Sequence, residues 1–433
     1  MSDKRKNETS DKTLSTKKNP SEAPKSKTSK STSASEDEIV FYDSPKDHSS
    51  SIPSYEKSGQ TFSANKNKGG SKLALRICAV VLGVIMIISG SGCLVMYNYF
   101  SRVNYESYES SQNNNENSKN SSGNTNTSKN TNSYDGTLLT DSDILNILII
   151  GADTRYNQDR GNSDTMILLS IDTRHKKLKL LSFMRDTYVA IPGYDENKLT
   201  AAFNLGGAAL TVNTIQSNYG IQIDRYAIVD FASFKNIIDT LGGIDIELTQ
   251  EEVDYIDWQC WKNHQVETRN ELDASSYTYT PNADGENVAM VHLNGRQALW
   301  HSRNRGEEGI CSGDDYTRTQ RQRNVISLLV NRLKNSDFST AMSIIYEIGP
   351  LITTNLKTSE ITTLATNITK YLNYDIVSTS APEYDKIGVD FYYSDDDHPI
   401  YIGGWPQSCI VIIDWDDFRV KTANFVFGDG NTE

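Results

Sequence analysis

Carboxylates and guanidiniums recur at the ends of three consecutive apolar runs. Leu145–Gly151 (LNILIIG) stops just before Asp153 and Arg155. Thr165–Ile171 starts just after Asp164, with Arg160 a few residues upstream. Leu178–Phe183 stops just before Arg185 and Asp186. Short continuous apolar runs read as buried strands, and Asp172-Thr173-Arg174-His175-Lys176 reads as a hairpin connection. Antiparallel neighbours end alternately at the two edges of a sheet. All these charged residues then fall on one edge, and topology alone gathers carboxylates and arginines there. The plainer reading is that they are ordinary charged loop residues.

A second constellation lies on a predicted helix over 315–334. Its apolar stripe Ile326, Leu329, Leu333 extends backward to Gln322 and Arg318, with Asp315 three residues before Arg318. A buried charge is costly unless paired, so Arg318 is expected to line a cleft. The alternative is a helix end emerging into solvent, with Asp315 as its N-cap. A third stretch, His301-Ser302-Arg303-Asn304-Arg305-Gly306, carries two arginines that a helix would point apart. Both serve one site only if the chain leaves the helix there, as Gly306 permits; otherwise they form a solvated basic last turn. Guanidiniums bind phosphate bidentately and stay charged. Two nearby carboxylates suit a hard cation such as Mg²⁺, completed by phosphate oxygens and water. The chemistry these residues support together is a diphosphate site, and no P-loop, GxSxG or Cys/His dyad competes with it.

The elements expected to position these residues interleave. After the three strands come a helix over Leu199–Ser217, a strand over Tyr226–Val229, a helix over Phe234–Leu241 stopped by Gly242-Gly243, and a strand over Ile244–Leu248. Residues 250–292 read as irregular and polar. Helices follow near 294–303, 315–334, 338–348 and 357–372, short strands near 375–379, 389–393 and 409–413, and a last helix over Phe418–Phe427. The pattern predicts an α/β fold with a mixed central β-sheet covered by helices. His292 and His301 read as surface residues. Of five cysteines, Cys260, Cys311 and Cys409 lie in this part; either Cys260–Cys311 forms a disulfide or all three are free thiols, mostly buried.

The first 140 of the 433 residues do not read as a folded domain. Residues 1–76 form a Lys-, Ser- and Thr-rich tail of charge about +5, expected to be disordered. Residues 77–100 (ICAVVLGVIMIISGSGCLVMYNYF) are uncharged and long enough for one transmembrane helix. Lys66, Lys68, Lys72 and Arg76 precede the run and only Arg102 follows closely, which places the N-terminus in the cytoplasm and the rest outside. A cleaved signal peptide fits poorly with so long a preceding tail. Residues 101–140 read as a flexible Asn/Ser-rich linker, and 141–433 as the extracellular domain. The whole chain is −13, so everything after residue 76 is about −18, a poor surface for nucleic acid.

The segments NILIIGADTR (146–155), SDTMILLSID (163–172), SFMRDT (182–187), KLTAAFNLGG (198–207), YAIVDFASFKNIIDTLGGIDIEL (226–248), LNGRQALWHSRNR (293–305) and DYTRTQRQR (315–323) resemble, in order and spacing, the LytR–CpsA–Psr family of bacterial wall enzymes. The resemblance implies an αβα sandwich anchored outside the membrane of a Gram-positive type cell. It implies a phosphotransferase that moves a glycopolymer, such as teichoic acid or capsule, from an undecaprenyl-diphosphate carrier to a peptidoglycan acceptor, with Mg²⁺ (or Mn²⁺). Matched motif by motif, Asp153 and Asp164 stand at the metal-binding aspartates. Arg185, Arg303, Arg305, Arg318 and Gln322 stand at the diphosphate clamp, and Asp315 at a base near the acceptor; Arg155 and Arg160 join the diphosphate ligands by the gathering of arginines alone, Arg160 two residues before Asn162. The helix over 199–217 and the segment 231–241 would help line an apolar slot for the lipid. One departure is Asn162, where the family usually has Arg before Ser163-Asp164-Thr165; Thr200 is a milder one. A non-catalytic polyprenyl-diphosphate sensor or regulator is the alternative, and Asn162 is its main support. Turnover of a prenyl-diphosphate substrate separates the two.

Overall fold

The structure, a computed structural model, describes residues 102–106, 134, 136–153, 161–267, 271–335 and 338–430. The apolar run 77–100 lies outside them; among the described residues no helix is long and apolar enough to cross a membrane.

Strands β1 (Asn104–Tyr105), β2 (Ile144–Ala152), β3 (Ser163–Asp172) and β4 (Lys177–Phe183) precede a small hairpin, β5 (Tyr188–Val189) and β6 (Asn197–Lys198). Then come α1 (Ala201–Tyr219), β7 (Arg225–Asp230), α2 (Phe231–Thr240), β8 (Ile244–Thr249), α3 (Gln250–Lys262), β9 (Thr280–Pro281), β10 (Asn287–Leu293), α4 (Gly295–Arg303) and α5 (Asp315–Lys334). The chain ends with α6 (Phe338–Ile348), β11 (Thr353–Thr354), α7 (Thr358–Thr366), α8 (Ile368–Tyr371), β12 (Asp375–Ala381), β13 (Phe391–Tyr393), β14 (Ile400–Ile402), β15 (Trp405–Gln407), β16 (Ile410–Ile412) and α9 (Trp415–Phe427).

The main sheet is mixed and seven-stranded, in the order β1-β11-β7-β2-β3-β4-β12. The β2–β3–β4 meander is antiparallel, while β7 and β12 lie parallel to β2 and β4. Both sheet faces are buried. Leu148, Ile150, Met166 and Leu168 point into a core with α1 and α9. Ile147, Ile171 and Leu178 point the other way, toward Val330 of α5, Leu364 of α7 and Tyr371 of α8. This explains the near-continuous apolar runs in the sequence. Asn104–Tyr105 pairs with β11 and Leu139 bridges to Ile221, so both ends of the stretch read as a linker touch the folded unit.

A second apolar cluster forms around the antiparallel sheet β8-β10-β9, with α2, α3, α4 and Val325 of α5. Here the sequence reading is corrected: 250–292 holds the helix α3 and the strand β10. The helix starts at Thr249, whose side chain accepts from the Glu252 N–H while Glu252 caps the Thr249 N–H. The helix expected over 357–372 is two short ones. Cys260, Cys311 and Cys409 are free and buried, so no Cys260–Cys311 disulfide forms. Their apolar setting pushes the thiols up, Cys260 to about 11, which keeps them protonated and inert. His301 is buried, 2% exposed, inside the α3–α4–α5 contact, whereas His292 is exposed as expected.

Candidate functional site

The meander delivers its charged ends to one edge. β2 and β3 part at a bulge beside Gly151, where a Cβ would lie 2.8 Å from Cβ of Thr165. Just beyond it the Asp153 N–H donates to the Asn162 carbonyl at 3.0 Å. Asp153 is buried there, and Asp164 sits on the second residue of β3. Arg185 follows β4. Its Nη1 donates to Asp164 Oδ1 at 2.6 Å, its Nη2 lies 3.4 Å from Asp315 Oδ1, and its Nε lies 3.5 Å from Asp186 Oδ2.

The N-cap of α5 is Asp314, which accepts from the Thr317 N–H; Asp315 is the first helical residue and is free for other contacts. Arg318 is buried one turn in, 4% exposed. Its Nη2 donates to Asp315 Oδ2 at 3.0 Å and reaches the Asp164 carbonyl at 3.4 Å. The buried side of α5 holds Tyr316, Arg318, Thr319, Arg323 and Val325, while the expected stripe Ile326, Leu329, Leu333 is only half-buried. Gln322 donates from Nε2 to the Ser302 carbonyl at 3.2 Å. Its Oε1 and Arg318 Nε are buried without a hydrogen-bond partner among the described residues.

Helix α4 ends at Arg303, whose guanidinium lies 4.5 Å over Phe231 and 5.0 Å over Trp300. The backbone then turns extended at Asn304 and left-handed at Gly306 (φ +85°), so Arg305 points to the same cavity as Arg303. A Cβ at Gly306 would lie 2.7 Å from the Gly313 nitrogen.

The resulting cavity, about 660 Å³, is lined by Asp153, Asn162, Asp164, Arg185, Arg303, Arg305, Arg318 and Gln322. Four guanidiniums there face three carboxylates, the third being Glu307. Asp315 contacts both Arg185 and Arg318 but is not among the described residues that line the cavity. Arg155 and Arg160 lie outside the described residues. Thr165, Asn204, Phe231, Tyr255, Gln259, Trp300 and Gly306 complete the lining; Asn204 and Phe231 fall in the segments expected beside the lipid, whereas no sequence signal marked Tyr255 and Gln259, which ride on the unexpected α3, or Trp300. Arg321 was missed too. It pairs with Glu252 of α3 at 2.9 Å and donates to the Asn304 carbonyl at 3.0 Å, holding the Arg303–Arg305 loop against α5.

Burial is the largest single influence on each of the three central charges. It lowers the Arg318 pKa to about 10, an effect that Asp315 opposes and neighbouring Arg185 reinforces. For Arg185, burial acts the same way, but Asp315, Asp164 and Asp186 outweigh it and raise the pKa. Burial also raises the Asp315 carboxyl above its ordinary value, although Arg318 and Arg185 oppose it. Desolvated guanidiniums with unused donors are an arrangement that a polyanion would stabilise.

Fold and site thus define an α/β domain with an arginine-lined cavity at one edge of its mixed sheet. The chain belongs to the LytR_cpsA_psr family, whose model matches residues 99–400. It is 31% identical over 237 residues to the polyisoprenyl-teichoic acid–peptidoglycan teichoic acid transferase TagU of Oceanobacillus iheyensis, covering 53% of this chain and 64% of that protein. It is 28% identical over 219 residues to TagV of Bacillus subtilis, named for the same activity, covering 49% of this chain and 50% of that one. The chain thus spans between half and two thirds of these relatives' length. Among solved structures, a LytR-CPS2A-psr family protein, YwtF (TagT), with bound octaprenyl pyrophosphate lipid, aligns at TM-score 0.45 and 20% identity over 66% of this chain and 91% of that chain.

Proposed function

We propose that the protein is a membrane-anchored phosphotransferase that moves a glycopolymer from a polyprenyl-diphosphate carrier to peptidoglycan. The observation that carries this reading is the cavity in which Arg185, Arg303, Arg305 and Arg318 converge beside Asp153 and Asp164. The named activity of TagU and TagV supports it, and the uncharged run 77–100 supplies the anchor, with the domain outside the cell.

In this reaction the acceptor hydroxyl oxygen attacks the phosphorus that bears the glycan. The bond from that phosphorus to the bridging oxygen breaks, and polyprenyl phosphate leaves with the bridge. The hydroxyl proton passes to the Asp315 carboxylate, which burial makes a stronger base than an ordinary aspartate. Arg318 and Arg185 neutralise charge on the transferred phosphoryl group, and Arg303 and Arg305 hold the leaving phosphate.

Asp153 and Asp164 fit a hard divalent cation such as Mg²⁺: both are oxygen donors lining the cavity. No group of three or more His, Cys, Asp or Glu side chains that could hold a metal occurs among the described residues. Mg²⁺ takes one or two carboxylates and completes its shell with phosphate oxygens and water. When bound, it would neutralise diphosphate charge.

The test uses the full-length protein in detergent, an undecaprenyl-diphosphate-linked oligosaccharide, Mg²⁺ and peptidoglycan fragments, followed by mass spectrometry. Phosphodiester-linked glycan on peptidoglycan, absent with Arg318→Ala, is the expected result. Asn162 in the cavity lining favours a second reading, a carrier-lipid sensor. Tight lipid binding without turnover would establish that reading, provided a family member with Arg at that position turns over in the same assay.

A further inference from the structure

Asp315 separates two chemically different surfaces. On one side are the guanidiniums and the cavity. On the other is a row of aromatic rings. Tyr316, next to Asp315, stacks edge-on with Tyr384 (ring centroids 5.1 Å) and lies 6.1 Å from Phe391, which in turn meets Tyr393 at 5.7 Å. Tyr316 and Phe391 are buried, but Tyr384 and Tyr393 present 57% and 40% of their surface to solvent.

The row is fixed to the site by backbone. β13 and β16 pair with Tyr393 opposite Ile410, and the Ile410 N–H donates to the Asp186 carbonyl at 2.9 Å, one residue after Arg185. Carboxylates lie on one flank of the outer tyrosine. Burial raises the Tyr393 phenol to about 12, and Asp314, Asp315, Asp186 and the Tyr384 ring add to the shift. The phenol therefore stays protonated at neutral pH. The Tyr316 hydroxyl beneath is buried with no hydrogen-bond partner among the described residues.

We infer that Tyr384 and Tyr393, with the Asp314 and Asp186 carboxylates, form the subsite that docks a pyranose ring of the acceptor glycan and delivers its hydroxyl to Asp315. The inference rests on the proposed transfer reaction and adds where its second substrate binds. Three observations carry it. Charge is unevenly shared: four guanidiniums line the cavity, whereas on the tyrosine side Asp314 caps α5 and Asp186 is paired with Lys198 at 3.0 Å, so an anionic carrier headgroup is drawn to the arginine side. The tyrosine side offers what an uncharged sugar needs, exposed aromatic faces for its C–H surfaces and acceptors for its hydroxyls. The shelf is also continuous with Asp315, which neighbours Tyr316 in the chain and contacts Arg185 and Arg318, so a hydroxyl of an acceptor seated there is led to the arginines that hold the transferred phosphoryl group.

The test varies acceptor concentration in the transfer assay at saturating carrier lipid, using full-length protein and muramidase-released peptidoglycan fragments. Tyr384→Ala and Tyr393→Ala should each raise the acceptor KM about tenfold, equivalent to about 1.4 kcal/mol, while the KM for the carrier lipid stays unchanged. Tyr393→Phe, which keeps the ring, should lose much less. In parallel, the same fragments without carrier lipid are titrated and binding is followed by NMR. Wild-type binding that weakens in both alanine variants supports the subsite even if no transfer occurs, an outcome that would sink the proposed reaction alone. Unchanged fragment affinity and acceptor KM in the Tyr384→Ala/Tyr393→Ala double variant would overturn the inference.

Discussion

Arg318 is the residue on which the site turns. It is buried, donates to Asp315 and to the Asp164 carbonyl, and keeps an unused Nε donor. Arg318→Ala should leave the domain folded and reduce transfer at least about a hundredfold, the scale seen when a preorganised oxyanion donor is removed. Arg318→Lys should recover little, because an ammonium cannot reproduce the planar fork. Both are read by product formation beside a thermal melt. Asp315 makes a prediction about pH. Burial raises its pKa, and the base must be ionised to accept a proton, so transfer should fall as pH drops through a value above the ordinary aspartate range. A pH–rate profile measures that limb, and Asp315→Asn should abolish activity across it. An acid limb at or below the ordinary aspartate value would remove Asp315 from the role of base. At this scale the sequence was informative. Spacing along α5 put Asp315, Arg318 and Gln322 together, and Gly306 marked where Arg303 and Arg305 turn to one cavity. Arg321 was not legible, because its partner Glu252 lies on a helix the sequence reading did not contain.

At the scale of elements, α4 is positioned by a glycine. A Cβ at Gly295 would lie 2.1 Å from the Lys235 carbonyl of α2, so the backbones touch there. The Gly295 N–H also donates to Asp239 Oδ1 at 2.7 Å. Gly295→Ala should push α4 from α2, draw Arg303 off the Phe231 ring and cost about 1–3 kcal/mol, the usual penalty of overpacking. Urea unfolding would measure the loss, and the transfer assay should show a defect larger than the fraction unfolded explains. A variant as stable and active as the wild type would show that the contact relaxes freely. The long elements of the main sheet were legible because both faces are buried and the runs are continuous. The second cluster was harder. Helix α3 is acidic and aromatic, QEEVDYIDWQCWK, with a weak apolar stripe. Its clearest mark was the Thr249–Glu252 pair at a capping-box spacing, which the irregular polar stretch after it obscured. β10 alternates buried Val291 and Leu293 with exposed Met290 and His292, a half-buried strand whose pairing with β8 is long-range.

At the scale of the molecule, two buried groups link stability to pH in separate windows. Asp172 and Lys179 are both fully buried and lie 2.7 Å apart, and Lys179 Nζ also donates to the carbonyls of Val426 and Gly428, fastening α9 to the sheet. Burial would raise the Asp172 pKa, but the His175 N–H, Lys179 and the His175 ring overcome it and hold it at about 2. Its stabilisation is present above the ordinary aspartate pKa and is lost only as pH falls toward 2. His301 titrates earlier. Burial lowers its pKa from 6.5 to about 4, Glu252 opposing and Arg321 reinforcing the shift. Neither ring nitrogen has a hydrogen-bond partner among the described residues. In the unfolded chain the imidazole accepts a proton below about 6.5, but the folded chain resists until about 4, so stability is full above 6.5 and declines as pH falls between the two values. Between pH 7 and pH 5 the loss should be about 2 kcal/mol, from about 1.4 kcal/mol per pH unit. Urea unfolding at the two pH values measures it, and His301→Met should flatten the difference while leaving the Asp172 window in place. His301 lies on α4 between Gln297 and Arg303, so acid that loosens this helix should disperse the arginine cavity before the main sheet unfolds. Loss of carrier-lipid binding should then precede loss of far-ultraviolet circular dichroism on lowering the pH. Coincident loss of the two signals would show that the second cluster and the sheet open as one unit.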